Sequence, residues 1–512
     1  MDIPLTFGTL VVVILFLCYF LYKRRFSFWL YREVLTPPVP FLGNFVNVAL
    51  QKETLALTML KIYKFLKSKN VVHGGIYNFF CPFYVPVDIN VIKSIMQTDF
   101  EHFTDRGIYL NEKDDPLSSN LFSQGGQKWK LLRSKLTPTF TPSKIKVMFE
   151  TLLHCTEEMN VILRKSRRKP LNIKDISARY LTDVIGSCAF GIECNSLKEP
   201  NNDFQKKGSA FFERTFVENV MLYFSDSLPS LLKLMRVRVN RPDVSEFFMG
   251  LIRDAITLRE GNNIHRKDFL QLLIELKHSG GSNNDVNVEV GDDGSEYEKL
   301  TFEEICAQSY LFFIAGFETS SATISFCLYS LAIHEDIQDK VRKEINEVIN
   351  RNDGKLTYDS LAEMDYLENV INETLRLYPI SSVLSRTCTK DYKVPGTNLL
   401  LKKGQKLYIP VMGIHYDEEF HPEPEKFDPE RFSEAYKGNI TSSTFMPFGD
   451  GPRNCIGLRL GMIQVKVALA TLLHKHKFKL NEKSKCPLEF DVKHPLLSPK
   501  GGVWLDYDEI DD

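Results

Sequence analysis

Two long apolar runs mark the chain, and what flanks them sets them apart. Residues 3–22 form an apolar stretch of twenty positions, preceded only by Asp2 and followed by Lys23-Arg24-Arg25. A helix of that length crosses a bilayer, and the basic flank predicts a cytosolic side after the run and a luminal N-terminus. A cleaved signal peptide fits less well, because the charge follows the run and no small-x-small site is visible. Phe26, Phe28, Trp29 and Tyr31 then read as an interfacial aromatic belt. The second run, residues 301–331, opens with the capping box Thr301-x-x-Glu304 and is apolar nearly all round. Such a helix belongs in a core.

Between and beyond these runs the pattern is more broken. Residues 37–40 (Pro-Pro-Val-Pro) form a stiff extended segment. Residues 77–85 read as strand material interrupted by Pro82, with Asp88 placed to cap a short helix. Residues 106–126 are polar and irregular, ending in Leu121-Phe122. Residues 228–239 mix leucines, Met235 and Val237 with Lys233, Arg236 and Arg238, as in a segment that touches headgroups or packs on a core. Residues 279–298 are too polar to bury and predict a surface loop. Short strands are expected over 399–411, and residues 496–499 turn back over the molecule.

Composition narrows the class. Length alone, 512 residues, suggests three or four domains, but no linker divides the interior. With 43% hydrophobic residues the chain can bury a large core. The 64 basic and 65 acidic residues nearly balance, so nothing global points to nucleic acid. The ten cysteines are scattered without a C-x-x-C pair, which argues for a reducing compartment. His474 and His476 read as surface residues, and Asn372 and Asn439 open formal glycosylation sequons. Neither a Rossmann glycine motif nor a Walker lysine motif is present.

Candidate chemistry concentrates at residues 445–461, FMPFGDGPRNCIGLRLG. Gly449, Gly451 and Gly457 permit tight turns and close approach of a flat ligand. Arg453 can grip a carboxylate, and the helix starting near Leu458 points its positive end at Cys455. A thiolate in this setting suits an axial haem ligand; a buried hydrophobic cysteine is the alternative. Within the second run, Ala315-Gly316-Phe317-Glu318-Thr319-Ser320 needs explaining. An interior glycine costs about 1 kcal/mol relative to alanine, and a buried acid–hydroxyl pair is expensive unless partnered. Either Thr319 bonds back to its own helix, or the helix opens locally for a ligand. Trp129 and Arg133 share one helix face, as do Glu373 and Arg376.

The pattern Phe448-x-x-Gly451-x-Arg453-x-Cys455-x-Gly457 resembles the cysteine-loop signature of the cytochrome P-450 haem-thiolate monooxygenases, with no departure at a fixed position. The resemblance covers nearly the whole chain. It implies a mainly α fold with small β-sheets, in which a catalytic domain (45–512) follows a membrane anchor (1–25) and a hinge (26–44). It implies haem b with Cys455 on the iron, cradled by Phe448, Gly449, Arg453 and Gly457, with Trp129, Arg133 and Arg386 on the propionates. Glu318 and Thr319 then serve oxygen activation and proton supply. Phe122, Leu311, Phe312, Ala315, Ser381 and Ser382 line the substrate pocket, and Glu373, Arg376 and Arg431 form a structural triad. Electrons are expected from NADPH–cytochrome P-450 reductase, with cytochrome b5 as a further donor, docking near Lys128, Lys130 and Lys135. Residues 183–197, 211–235 and 266–277 resemble insect microsomal members, which implies an endoplasmic reticulum membrane protein acting on lipophilic xenobiotics. A hydroperoxide isomerase and a ligand-binding haem protein are the alternatives; neither needs NADPH.

Overall fold

The capping box at Thr301 starts a 32-residue helix, Phe302–Ile333, that the rest of the chain surrounds. In this computed structural model, described for residues 12–13, 16, 19–20, 23–39, 42–166, 169–266, 268–278, 299–436, 438 and 440–510, the Thr301 hydroxyl accepts from Glu304 N (3.1 Å) and Glu304 Oε2 accepts from Thr301 N (3.1 Å). Phe326, Leu328 and Leu331 of this central helix are fully buried, each worth about 1.5–3 kcal/mol of transfer free energy. Helices Ile173–Ile185, Asp365–Leu377 and Leu458–Lys475 pack against it. Gly316 has its reason here. A Cβ there would lie 2.6 Å from Ile185 Cδ1, so the glycine lets two helices approach. The helix itself runs unbroken through residues 315–320, and the local opening expected there does not occur.

Among the described residues nine strands make three small sheets: β1 His73–Asn78, β2 Cys81–Pro86, β3 Leu171–Asn172, β4 Leu384–Thr387, β5 Tyr392–Lys393, β6 Leu400–Leu401, β7 Lys406–Ile409, β8 His476–Leu480 and β9 Trp504–Glu509. Their orders are β1-β2-β7-β4, β3-β9-β8 and β5-β6. The fold is thus mainly helical with small sheets. The strand expected over 77–85 is the β1–β2 hairpin, which turns at Phe79 (φ 51°) and pairs Pro82 with Tyr77 beside the turn. The first sheet holds a second core, and Trp29 lies at its centre. Instead of standing in an interfacial belt, Trp29 is fully buried, donating from Nε1 to Ile76 O (3.1 Å) and from its backbone N to the Tyr77 hydroxyl (3.2 Å). His476, expected at the surface, is buried at the start of β8, where burial pushes its pKa down to about 4.

The span 3–22 lies largely outside the described residues, and the loop 279–298 lies wholly outside them. Among the described residues one helix is long and apolar enough to cross a membrane, and it is the buried central helix. The described cysteines are all free. Residues 228–239 contain the short helix Pro229–Leu234, which buries Leu232 and exposes Leu231 and Leu234, with Met235 exposed just after it.

Candidate active site

The loop before helix Leu458–Lys475 is folded tightly on itself. Cys455 N donates to Phe448 O (2.8 Å), and Gly449 N donates to Met446 O (3.0 Å). Gly451 sits at φ +67°, where a Cβ would overlap the Met96 carbonyl, so no other residue fits. Asp450 pins this turn, accepting from Gly451 N (2.7 Å) and from Gln97 Nε2 (2.6 Å). The Cys455 side chain opens to solvent-reachable space, although protein surrounds the sulfur closely. That burial pushes the thiol up, against the opposing pull of the Gly457 N–H and the Arg133 and Arg106 guanidiniums. The helix end alone therefore does not make a thiolate. A metal ion does so outright.

Four arginines gather beside the cysteine. Arg133 donates to Asn454 O (2.9 Å) and Oδ1 (3.0 Å), tying the 126–136 helix to the loop. Arg453 lies over the Trp129 ring (4.5 Å). Its fork turns onto the backbone carbonyls of Thr104, Gln124 and Phe122, where the sequence had suggested a carboxylate. Arg386 is buried and donates to Ser385 O (2.8 Å). Arg106 donates to Phe122 O (3.0 Å) and Arg453 O (3.3 Å). Nε of both Arg386 and Arg453 is buried with no acceptor. Burial lowers the Arg453 pKa first, and the charge of Arg386 lowers it further, to about 9. Like charges collected this way call for an anion.

The central helix shows one open strip. Ala315 is exposed and Leu311, Phe312, Gly316 and Thr319 are half-buried, while most of its middle is buried. Their three- and four-residue spacing places them on one face. The Thr319 hydroxyl donates to Ala315 O (2.8 Å), the back-bonded alternative. Phe312 packs against the rings of Phe140 (5.1 Å) and Phe269 (4.0 Å). Glu318 is buried and held at Oε1 by Lys174 Nζ (2.8 Å) and His494 Nε2 (3.1 Å). Burial raises its pKa, but the Lys174 charge and His494 outweigh that and hold the carboxyl at about 2. Phe122 stands 49% exposed beneath the Arg106 guanidinium (4.2 Å). Ser382 is buried and Ser381 half-buried at the entry to β4.

The family model for cytochrome P-450 matches residues 35–505. The chain belongs to the cytochrome P-450 family. It is 41% identical over 503 residues to a probable cytochrome P-450 6a13 of Drosophila melanogaster, covering 98% of each chain. It is 40% identical over 508 residues to cytochrome P-450 6a2 of the same fly, covering 98% of this chain and 99% of that one. Cytochrome P-450 6k1 of Blattella germanica is 38% identical over 517 residues, covering 99% and 97%. Membership makes this P-450 a monooxygenase and implies a thiolate-ligated haem. The residues fit that group: an open cysteine, an open strip on the central helix, and guanidinium N–H groups without acceptors.

Behind the cysteine loop this P-450 is locked by buried charge. Arg376 and Glu373 are fully buried and paired through two bonds (2.7 and 2.8 Å). Arg431 joins them, with Nε 3.4 Å from Glu373 Oε1. His415 extends the lock: Nδ1 meets Arg376 O (3.1 Å) and Nε2 accepts from Met446 N (3.1 Å). Neutral imidazole satisfies both contacts, and burial holds the ring's pKa well down. The predicted cofactor residues Phe448, Gly449, Arg453, Cys455, Gly457, Trp129, Arg133 and Arg386 thus all lie in or near the loop or its arginine cluster. Sequence reasoning missed Arg106, Lys174, His415 and His494, whose partners are distant in the chain and follow no local spacing. Of the expected docking lysines, Lys128 is engaged by Glu112 (3.1 Å) and Glu304 (3.2 Å), Lys135 is half-buried, and Lys130 is exposed.

Proposed function

We propose that this P-450 hydroxylates lipophilic small molecules, xenobiotics such as plant toxins or insecticides among them, at the endoplasmic reticulum membrane, with electrons relayed from NADPH by cytochrome P-450 reductase and with cytochrome b5 as a second donor. The balance is RH + O2 + NADPH + H+ → ROH + H2O + NADP+. The observation that carries this reading is Cys455, open to solvent-reachable space in its locked loop among four converging guanidiniums. Haem b held there by the Cys455 thiolate supplies the activation of dioxygen. Trp129, Arg133 and Arg386 would hold its two carboxylates by charge-assisted hydrogen bonds, with the Arg453 charge beside them. Leu311, Ala315, Phe122, Ser381 and Ser382 would shape the apolar guest's cavity.

Proton supply falls to Thr319 and Glu318. At neutral pH the Glu318 carboxyl is ionised, so it accepts a proton before it can pass one on. Lys174 and His494, on its oxygen (2.8 and 3.1 Å), hold the carboxylate in place. The Thr319 hydroxyl now rests on the Ala315 carbonyl and must rotate to donate elsewhere, a movement that a side chain with two helix rotamers permits. Exposed Leu231, Leu234 and Met235 beside Lys233 and Arg236 support contact with a lipid surface. The test is turnover with purified reductase. Thr319→Ala should keep its haem and still consume NADPH, but release peroxide in place of most of the product. Unchanged coupling of NADPH to product would remove Thr319 from the proton path, and no NADPH consumption by the parent protein would favour an isomerase or a binding protein.

A further inference from the structure

The open strip of the central helix stops at a buried carboxamide. Gln308 precedes Ala315 by seven residues, so the two stand about 20° apart round the helix axis, on the face that also carries Leu311 and Thr319. Ala315 is exposed and Leu311 and Thr319 are half-buried, whereas Gln308 is fully buried. Its cover is the irregular segment 116–124, which packs on the central helix through the short turn Pro116–Ser118. Gln308 Oε1 accepts from Leu121 N (2.8 Å), while Nε2 is buried with no acceptor. The carboxamide is therefore committed to this segment through its oxygen.

The segment keeps its own shape. Asn120 Nδ2 donates to Leu117 O (2.9 Å), Asn120 Oδ1 accepts from Phe122 N (3.1 Å), and Gln124 N donates to Asn120 O (2.9 Å). Braced from within, it moves as one piece, and its ties to the rest of the molecule decide where it lies. On one side the tie is Gln308. On the other, Phe122 O accepts from Arg106 (3.0 Å) and Arg453 (3.4 Å), and Gln124 O accepts from Arg453. Phe122 follows Leu121 directly, so its exposed ring stands between the two attachments. A shift of the segment at Gln308 moves Phe122 relative to the strip, while the cysteine loop keeps its own bond from Cys455 N to Phe448 O (2.8 Å).

We propose that Gln308 is a specificity-determining residue that acts through the Leu121 N–H. By fixing where segment 116–124 crosses the central helix, it sets how far Phe122 reaches over the open strip, and so the bulk of the lipophilic guest that the site admits. It is a positioning residue, since its oxygen is spent on the segment and not on the guest. The inference rests on the haem reading given above, and the two probes below separate a failure of one from a failure of the other.

The experiment titrates the full haem-loaded chain with two nitrogen bases and follows the haem absorption band. Imidazole needs the iron alone, whereas clotrimazole also pushes a bulky triaryl group into the guest cavity. Gln308→Met keeps the side-chain volume and removes the acceptor. It should weaken clotrimazole about 3- to 10-fold and leave the imidazole affinity unchanged. In a Phe122→Ala background it should have no further effect on clotrimazole. Should Gln308→Met fail to give the parent's CO-bound spectrum, Gln308→Asn, whose shorter arm stops short of the Leu121 N–H, takes its place. Clotrimazole binding equal in parent and variant, a matching loss for imidazole, or a full effect that persists without the Phe122 ring overturns the proposal. A parent whose spectrum responds to neither base overturns the haem reading, and this proposal with it.

Discussion

Arg376 and Arg386 are both buried arginines within reach of the same cysteine loop, yet their hydrogen bonds differ. A guanidinium has five N–H donors. Those of Arg376 are all used, by both Glu373 oxygens and by the carbonyls of His415, Pro424 and Lys426. Arg386 donates to Ser385 O and keeps a buried Nε with no acceptor. Arg453 shares that deficit at Nε. Within this pair the difference separates Arg376, whose donors all hold the protein together, from Arg386, which has a buried donor to spare. A satisfied guanidinium has nothing left to offer, whereas a buried donor without an acceptor carries a penalty that an anion relieves.

Breaking the satisfied side should have the largest effect. Arg376→Leu leaves the Glu373 carboxylate buried with only Arg431 and the Asp428 N–H (2.9 Å) beside it. A loss of about 3–5 kcal/mol is expected, read as a collapse in the yield of CO-binding protein and a lower unfolding temperature. Arg386→Gln should act differently. The apoprotein stays as stable as the parent or gains slightly, because a buried charge is removed, while haem transfers to apomyoglobin about 10-fold faster. If Arg386→Gln instead unfolds the apoprotein, the distinction between the two arginines fails.

A pH experiment sharpens the same contrast from the locked side. His421 meets the Thr444 carbonyl (3.0 Å) ahead of the cysteine loop, and burial holds its pKa down to about 4. Its folded value lies below the unfolded value of about 6.5. The stability it contributes is therefore complete above pH 6.5 and is lost as pH falls through 4. His421→Gln should flatten the thermal stability profile between those limits. The smallest effect is expected at the open side: Phe122→Ala should leave the unfolding free energy within about 0.5 kcal/mol of the parent and alter only the affinity for lipophilic ligands, measured by haem spectral titration.

Legibility followed the range of the partner. The central helix was readable because burial on all sides is written in an unbroken apolar run, and the Glu373–Arg376 pair because both lie on one helix turn. The cysteine loop was readable because its glycines are needed locally, Gly451 above all. Where a residue's partner is distant, its environment was hidden. Trp29 next to an apolar run reads as a membrane aromatic until Tyr77 and Gly75 are brought over it. His415 bridges two backbone atoms, which leave no trace in side-chain spacing. Gly316 suggested a break in the helix, but it answers to Ile185 on another helix. Glu318 was read correctly as needing partners, yet nothing local names Lys174 or His494.

Trp29 also sets a limit on how far the chain can be shortened at its front. Its indole fills space above Gly75 that any side chain there would overlap, and it closes the core of the first sheet. A truncation that removes residues 1–22 to improve solubility spares this plug. One that begins at residue 30, which looks equally safe on hydropathy grounds, would leave a hole of tryptophan size under the sheet, at a cost of about 3–5 kcal/mol. For anyone preparing soluble protein for crystallisation, the safe cut lies before Lys23.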